Sequence, residues 1–418
     1  MRLPVINNIQ DVVEHQLCCG CGVCAYLSPD SIEMVDAAQH GRRPLHRGRG
    51  ADDPDAMKAC PGIMLDRTAE DVPADVIPEL LPAWGPVLEV WEGHATDEAI
   101  RFAGSSGGAA SAVALACIED GGMHGVLHVR SRSDAPIFNE TVLSTTREEI
   151  LRATGSRYAP ASPCDGLQAI EDAPGPCVFI GKPCDVAAVR NATRLRAPLR
   201  EKVGVTIAFF CAGTPTTKGT LALIERLGIE YPSDVIDIRY RGNGWPGRTV
   251  FTVKTAAGIE TRSLSYEESW GEVLTNHKQW RCNVCADHTG EFADIAVGDP
   301  WHRPGGPDEP GRSLILVRTE RGRRILADAV AAGFLAVERS DHSSLPAAQP
   351  ELLRGRGAVW GRLLACRLMG VPVPRYRGMP MFRHWWSRLS WREKAGATIG
   401  TVRRVYRRRL RARATDAS

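Results

Sequence analysis

Cys18-Cys19-Gly20-Cys21-Gly22-Val23-Cys24 sets thiols at 18, 21 and 24, the C-x2-C-x2-C spacing with which a tight loop wraps an iron-sulfur cube. A run of this kind normally adds a fourth cysteine three residues later, followed by proline, as a ligand of a neighbouring cluster. Here that place is Ser28-Pro29, and the missing thiolate returns at Cys60-Pro61. Cys18, Cys21, Cys24 and Cys60 therefore read as the ligands of a single 4Fe-4S cluster, with Cys19 a bystander. A structural zinc on the same four thiolates is the alternative; the x2-x2 triple with a late Cys-Pro favours iron and sulfur. A module built around such a loop is held together by its metal.

The thirteen cysteines also govern how the rest of the 418 residues is read. No charged start with an apolar core follows Met1, and no run of about 18 apolar residues is present. The expected location is the cytoplasm, where disulfides are rare and clustered cysteines are metal or redox sites. Cys117 and Cys366, alone in apolar runs, read as small buried hydrophobes. A chain of this length with 43% hydrophobic residues can bury two or three cores, which excludes a disordered or fibrous class. The net charge of +3 hides an asymmetry: from Arg375 onward there are thirteen Lys and Arg against two Asp and Glu, +11, leaving −8 for residues 1–374. With Trp385, Trp386, Leu389 and Trp391 among arginines, that basic tail reads as an amphipathic helix suited to an anionic membrane, or equally as packed Trp with solvated Arg. It is expected to be dispensable for redox chemistry. A specific nucleic-acid role has no other support.

Residues 1–70 form the cluster module, with a short strand at 31–35 and a Gly/Arg-rich connector; the proline-punctuated stretch 71–95 reads as an extended linker. Beyond it, Ala109 to Asp120 predicts a helix and Gly125 to Arg130 a strand. A second α/β unit follows, with strand 177–180, helix 185–194 and strand 203–210. The last is apolar almost throughout, as a strand central in a sheet covered on both faces should be. Strands are also expected at 235–241, 249–254, 295–297 and 314–318. Strand ends here carry glycine and proline, where α/β sites form.

Cys282-Asn283-Val284-Cys285 is a CxxC pair. A thioredoxin-like dithiol is disfavoured because the required βαβ order is missing. Cys184 and Cys211 each follow the carboxyl end of a predicted strand; if those strands are neighbours, Cys184, Cys211, Cys282 and Cys285 converge on a second 4Fe-4S cluster, and otherwise the first two are buried core thiols. Gly104, Ser105, Ser106, Gly107 and Gly108 open a helix and offer a phosphate cradle, although a Ser-Gly loop that merely caps a helix is as common. A protein that converts hydride pairs into single electrons needs a flavin or an equivalent station.

These motifs, with Gly155-Ser156-Arg157-Tyr158, Gly181-Lys182-Pro183-Cys184, Phe210-Cys211-Ala212-Gly213-Thr214-Pro215, Tyr240-Arg241-Gly242-Asn243-Gly244-Trp245-Pro246-Gly247 and Ala293-Asp294-Ile295-Ala296-Val297-Gly298-Asp299-Pro300-Trp301, run in consistent order from about residue 14 to 335. Together they resemble the coenzyme F420 hydrogenase/dehydrogenase beta-subunit family, which also includes 7-hydroxymethyl chlorophyll a reductases. The resemblance implies an α/β fold class: an N-terminal ferredoxin-like iron-sulfur module, α/β flavin-binding domains at 96–175 and 176–335, and a basic helical C-terminal tail at 336–418. It implies FAD between sheet and cluster, near Gly104 to Gly108, Tyr158, Asn243 and Trp245. Lys182 and Arg157 are then expected at the flavin ring or an acidic substrate, and Asp299 as a proton or hydrogen-bond partner, its alternative being a strand-end turn residue. The implied activity is an oxidoreductase passing electrons between 4Fe-4S clusters and FAD, and a hydride between FAD and coenzyme F420. Alternatives are a ferredoxin-dependent reductase of a tetrapyrrole-like substrate and a non-catalytic electron-transfer subunit; the expected partners are F420 and ferredoxin or a redox subunit.

Overall fold

The computed structural model describes residues 3–47, 54–303 and 309–414; part of the expected Gly/Arg-rich connector, 48–53, lies outside the described residues. The N-terminal helix Ile9–Glu14 is capped by the Asn8 side chain, which accepts from Asp11 N. The cysteine loop follows, and Gly20 and Gly22 take φ of 73° and 91° within it. A Cβ on either would collide with backbone, Arg42 O and Asp165 N respectively, so glycine lets the loop lie flat on its neighbours. Strands β1 (Ile32–Ala37) and β2 (Gly41–His46) pair as an antiparallel hairpin, and the helix Pro54–Ala59 delivers Cys60. The module's small core is Ile9, Val12, Val13, Leu17, Ile32 and Ala56 packed on Cys18, Cys24 and Cys60. A short strand, β3 (Met64–Asp66), leaves it.

The main sheet draws on β4 (Glu89–Ala95), β5 (Gly125–Ser131), β6 (Asn139–Ser144), β7 (Cys177–Gly181) and β8 (Val203–Phe209). After a separate antiparallel meander of β9 (Val235–Arg239), β10 (Thr249–Thr255) and β11 (Gly258–Leu264), it is completed by β12 (Ile295–Gly298), β13 (Ser313–Val317) and β14 (Leu335–Arg339). The order is β14-β4-β13-β12-β8-β7-β5-β6. β5, β7, β8 and β12 run parallel, and antiparallel strands finish both sides. As the apolar run foretold, β8 is interior to the sheet. Side chains alternate between two cores: the helix Pro183–Leu195 packs with Phe179, Leu127 and Leu314 on one face, and the helices Ala109–Glu119 and Glu320–Ala331 with Val178, Ile207 and Ile315 on the other. β4, within the stretch expected to be linker, is an interior strand of this sheet.

The basic C-terminal region is not a free tail. Helix Pro350–Leu368 packs into a core with Val371, Met381, Val405 and Leu410. β15 (Arg375–Arg377) pairs in parallel with β3, Tyr376 donates its hydroxyl to Val284 O at 2.5 Å, and Arg413 meets Asp11 and Glu14. Truncation at 375 would strip these contacts from the cysteine module and the CxxC loop. Trp385 packs at a tilt against Trp360 with ring centroids 4.5 Å apart, whereas Phe382, Trp386 and Trp391 stay exposed. Among the described residues no helix is long and apolar enough to cross a membrane.

One buried ionic knot joins the parts. The Glu291 carboxylate lies between Arg67, just after β3, and Arg356 of the C-terminal helix, all three almost fully buried. Arg318 reaches into the same region from the end of β13, donating to Trp84 O at 2.9 Å, Pro86 O at 2.6 Å and Thr289 O at 3.0 Å. Glu291→Ala leaves two buried guanidinium groups without their counter-ion and should cost about 3–5 kcal/mol, read as a lower denaturation midpoint in urea with an unchanged m-value.

His128 of β5 gives a pH signature. Burial, with Arg130 nearby, lowers it to about 4, and its Nε2 bonds Ser144 Oγ at 2.8 Å. The unfolded chain takes up the proton near pH 6.5, the folded one only near 4, so this contribution is full above about 6.5 and falls away as pH drops to about 4, by about 3 kcal/mol. His128→Asn should flatten the pH dependence of unfolding free energy in that window.

Candidate functional site

The parallel strands β7, β8 and β12 point their carboxyl ends at one edge of the sheet, and β4, antiparallel to β13, ends there too. This edge is where open α/β sheets place their sites. Cys184 stands in the first turn of the helix after β7 and Cys211 closely follows β8. These strands are neighbours, so the condition set for convergence of the thiols is met. The CxxC loop is laced to the same place: Cys211 N donates to His288 O at 2.9 Å, Thr216 N to His277 O at 3.0 Å, and Thr214 N approaches Cys282 Sγ at 3.3 Å. Cys211 thereby faces Cys184, Cys282 and Cys285.

The N-terminal thiols form a second group. Cys24 and Cys60 each face Cys18, and Cys21 faces Cys60. Burial pushes the Cys60 and Cys285 thiols up to about 12, the cost of charging a sulfur in an apolar site, which the nearby Arg281 guanidinium offsets only in part. Among the described residues no group of three or more His, Cys, Asp or Glu side chains has the geometry to hold a metal ion; the thiols are neighbours without forming a coordination sphere. Arg281, adjacent to Cys282, sits between the groups. It is 3% exposed, donates from Nη2 to Pro61 O at 3.0 Å, and its charge faces Cys285, Cys19 and Cys184. Among the described residues its Nε and Nη1 are buried without a hydrogen-bond acceptor, and the Tyr376 ring centroid lies 5.8 Å from the guanidinium. Orphaned guanidinium N–H groups beside thiols fit an anionic occupant bounded by thiolates, which is what an iron-sulfur cube is.

Toward β4 the edge carries rings instead of sulfur. Arg241 is 3% exposed and paired with both oxygens of Asp299, at 3.0 and 2.8 Å. It also donates to Ser105 O at 2.5 Å and Pro246 O at 2.7 Å. Trp245 Nε1 donates to Asp299 Oδ1 at 2.8 Å. The guanidinium lies over Tyr266 and Trp301, 5.0 and 5.6 Å from the ring centroids. Trp301 stacks on Tyr266 at 5.3 Å and leans on Trp245 at 5.0 Å, while Tyr158 packs against Trp270 at 4.8 Å. Trp301, following β12, is partly open to solvent. A buried cation among stackable rings suits a planar, electron-rich ligand.

Several expected roles change in this setting. Arg157 makes four hydrogen bonds to the scaffold, to Asn139 Oδ1, Ile238 O, Pro136 O and Phe138 O, so it ties β9 to the turn before β6. Lys182 is paired with Asp185 at 2.6 Å and faces Cys184 and Cys211; it belongs with the thiols. Asn243 is an exposed turn residue at φ 58°. In the Ser-Gly loop, Ser105 Oγ accepts from Ser156 N at 2.5 Å, Ser106 Oγ donates to Arg312 O at 2.5 Å, and Gly107 N donates to Ser313 Oγ at 2.9 Å. Ser106 and Gly107 are thus tied to Arg312 and Ser313 at β13, and Ser105 to Ser156. Gly104 and Gly108 pack against each other. Sequence reasoning misses Arg241, Trp301 and Arg281 as site residues. The first two stand inside the quoted motifs and the third beside a CxxC, but a basic or aromatic residue in a loop has no signature until its partners are known.

The family profiles decide the assignment. The profile for the amino-terminal part of the coenzyme F420 hydrogenase/dehydrogenase beta subunit matches residues 90–168, and the profile for its carboxyl-terminal part matches 176–343. The chain belongs to this family. The coenzyme F420 hydrogenase subunit beta of Methanococcus voltae is 27% identical over 67% of this chain and 95% of its own length. The F420-dependent formate dehydrogenase 1 subunit beta of Methanococcus maripaludis is 25% identical over 62% of this chain and 63% of its own. A chain in the solved F420-reducing [NiFe] hydrogenase complex of Methanosarcina barkeri superposes with a TM-score of 0.51 at 23% identity, covering 66% of this chain and 91% of that one, and so shares the fold. The family profiles span the whole ring cluster and Cys184, Cys211, Cys282 and Cys285, but neither reaches the N-terminal cysteine module.

Gly107 separates packing from ligand binding. A Cβ there would sit 2.7 Å from Gly93 O and 2.8 Å from Ser313 N, backbone that cannot move without disturbing β4 and β13. Gly107→Val should lower global stability by about 1–3 kcal/mol, visible by thermal unfolding in protein stripped of any cofactor.

Proposed function

We propose that this chain is the F420-linked redox subunit of an oxidoreductase, with 4Fe-4S clusters on Cys18, Cys21, Cys24 and Cys60 and on Cys184, Cys211, Cys282 and Cys285, and FAD at the ring cluster. The observation that carries it is order along one sheet edge: rings and Arg241-Asp299 beyond β12, then Cys211 after β8, then Cys184 after β7, then the N-terminal module. FAD, when bound, supplies the exchange between hydride pairs and the single electrons that clusters carry. Arg241, held in place by Asp299 and by two backbone carbonyls, offers a fixed cation to negative charge on a ring stacked against Tyr266 or Trp301, and needs no reorganisation to do so. Trp245 keeps the Asp299 carboxylate oriented toward that cation. Lys182, neutralised in part by Asp185, puts positive charge beside the Cys184 and Cys211 thiols and favours the reduced state of what they hold. The family membership supports F420 as the two-electron partner and a redox subunit as the one-electron partner.

Anaerobically reconstituted protein should hold about eight irons, four per cube, and Cys282→Ser about four. Reduced F420 should bleach bound flavin, and Arg241→Met should reduce that rate more than it reduces iron content. Wild type that never exceeds about four irons would remove one cluster. Reduction by ferredoxin with no response to F420 would favour the ferredoxin-dependent reductase, and response to neither would favour a carrier subunit.

A further inference from the structure

The last two helices, Met381–Arg388 and Trp391–Arg407, carry charge and rings that the fold leaves unmatched. From Met381 to Arg413 there are eleven Lys and Arg and one acidic residue, Glu393. Lys394 is buried, and Arg408 and Arg413 are bonded to Lys278 O and to Asp11 and Glu14. Arg383, Arg388, Arg392, Arg403, Arg407 and Arg409 are exposed and, among the described residues, make no ion pair. Several exposed arginines of the body are matched by acids, as Arg152 is by Glu148, Arg226 by Glu272 and Arg339 by Glu89.

The rings among these cations form one patch. Phe382, Trp386 and Trp391 are 51%, 59% and 75% exposed. Phe382 stacks on Trp386 with centroids 6.1 Å apart. The Lys394 ammonium lies 5.3 Å from the Trp386 ring and 4.8 Å from that of Trp391, and donates to Trp386 O at 2.8 Å, so one buried cation holds both indoles in place at the surface. Along the second helix the exposed Arg392, Ile399, Arg403 and Tyr406 recur at spacings of seven, four and three, which sets them on the face turned away from the buried Thr401 and Val405.

We propose that these two helices are a docking surface for an anionic phospholipid bilayer, on which the protein lies without crossing it. Charge complementarity selects that occupant: unpaired guanidinium groups match lipid phosphates, and indole and phenyl rings held outward among them reach the depth at which aromatic residues gather in membrane interfaces. Ile399 adds apolar area that a bilayer rewards and a nucleic-acid backbone does not. The attraction falls off within a Debye length and is therefore screened by salt. Docking is independent of what the thiols and the ring cluster hold.

The test is sedimentation of the full chain with vesicles of phosphatidylcholine and phosphatidylglycerol in equal parts, and with phosphatidylcholine alone, at low and high salt. Quenching of Trp fluorescence by brominated acyl chains reports insertion. Wild type should bind the mixed vesicles, lose them as salt rises, ignore phosphatidylcholine alone, and be quenched. Arg392→Gln and Arg403→Gln, which touch no partner, should each weaken binding about fivefold at an unchanged unfolding temperature. Trp386→Ser with Trp391→Ser should abolish most of the quenching; should that variant fail to fold because Lys394 is uncovered, the two arginine variants still decide. Wild type that stays in the supernatant with the mixed vesicles, or binding that neither arginine variant alters, would overturn the proposal. Binding without quenching would overturn it too: the surface is then a polyanion site, and equal affinity for single-stranded RNA would assign it to nucleic acid.

Discussion

Glu291 is the point on which the rest of the structure turns. Its carboxylate accepts from Arg67 and Arg356, so one side chain on the loop after the CxxC holds both the strand leaving the cysteine module and the long helix of the C-terminal region. Two buried guanidinium groups and one carboxylate are expensive to desolvate, and the arrangement is tolerable only because each finds its partners. What it fixes is position. The CxxC loop cannot shift without unpairing a buried charge, and so Cys282 and Cys285 are held against Cys184 and Cys211 by charge as well as by packing.

The sheet supplies the other half of that constraint. The parallel strands β5, β7, β8 and β12 send the loops at their carboxyl ends to the same edge, and the strand order turns sequence separation into adjacency. Cys184 and Cys211 come close because β7 and β8 pair; Asp299 follows β12, next in line. The Ser-Gly loop is anchored at the end of β4 by the bond from Ala95 N to Gly107 O at 2.7 Å. The helix-strand contact there explains its glycines without a ligand, and Arg241, donating to Ser105 O, ties that loop to the ring cluster. The basic C-terminal residues close the module from the other side: their charge is partly consumed by Asp11, Glu14 and backbone carbonyls such as Lys278 O.

Much of this is legible in the chain. The apolar run of β8 and the glycine-punctuated strand ends reflect local geometry, and both lie where the pattern puts them. The placement of Cys184 and Cys211 follows from a single conditional, that two strands be neighbours. What stays hidden depends on long-range pairing. β4 is concealed in a proline-rich stretch because its companions, β13 and β14, lie more than two hundred residues away in sequence. Cations near motifs suggest ligand contacts, as Arg157 and Lys182 do, but Asn139 and Asp185 already claim them. Net charge describes only the surface of the C-terminal region, while side chains along its helices are buried against Trp360, Val359 and Leu363.

The central claim is that eight cysteines from two parts of the chain form two adjacent cluster sites in line with the ring cluster. Anomalous diffraction at the iron absorption edge, from crystals grown anaerobically with reconstituted protein, tests it most directly. Two separate peaks are expected, one ringed by Cys18, Cys21, Cys24 and Cys60 and the other by Cys184, Cys211, Cys282 and Cys285. A single peak, or a peak ligated by a different set of thiols, would contradict the account.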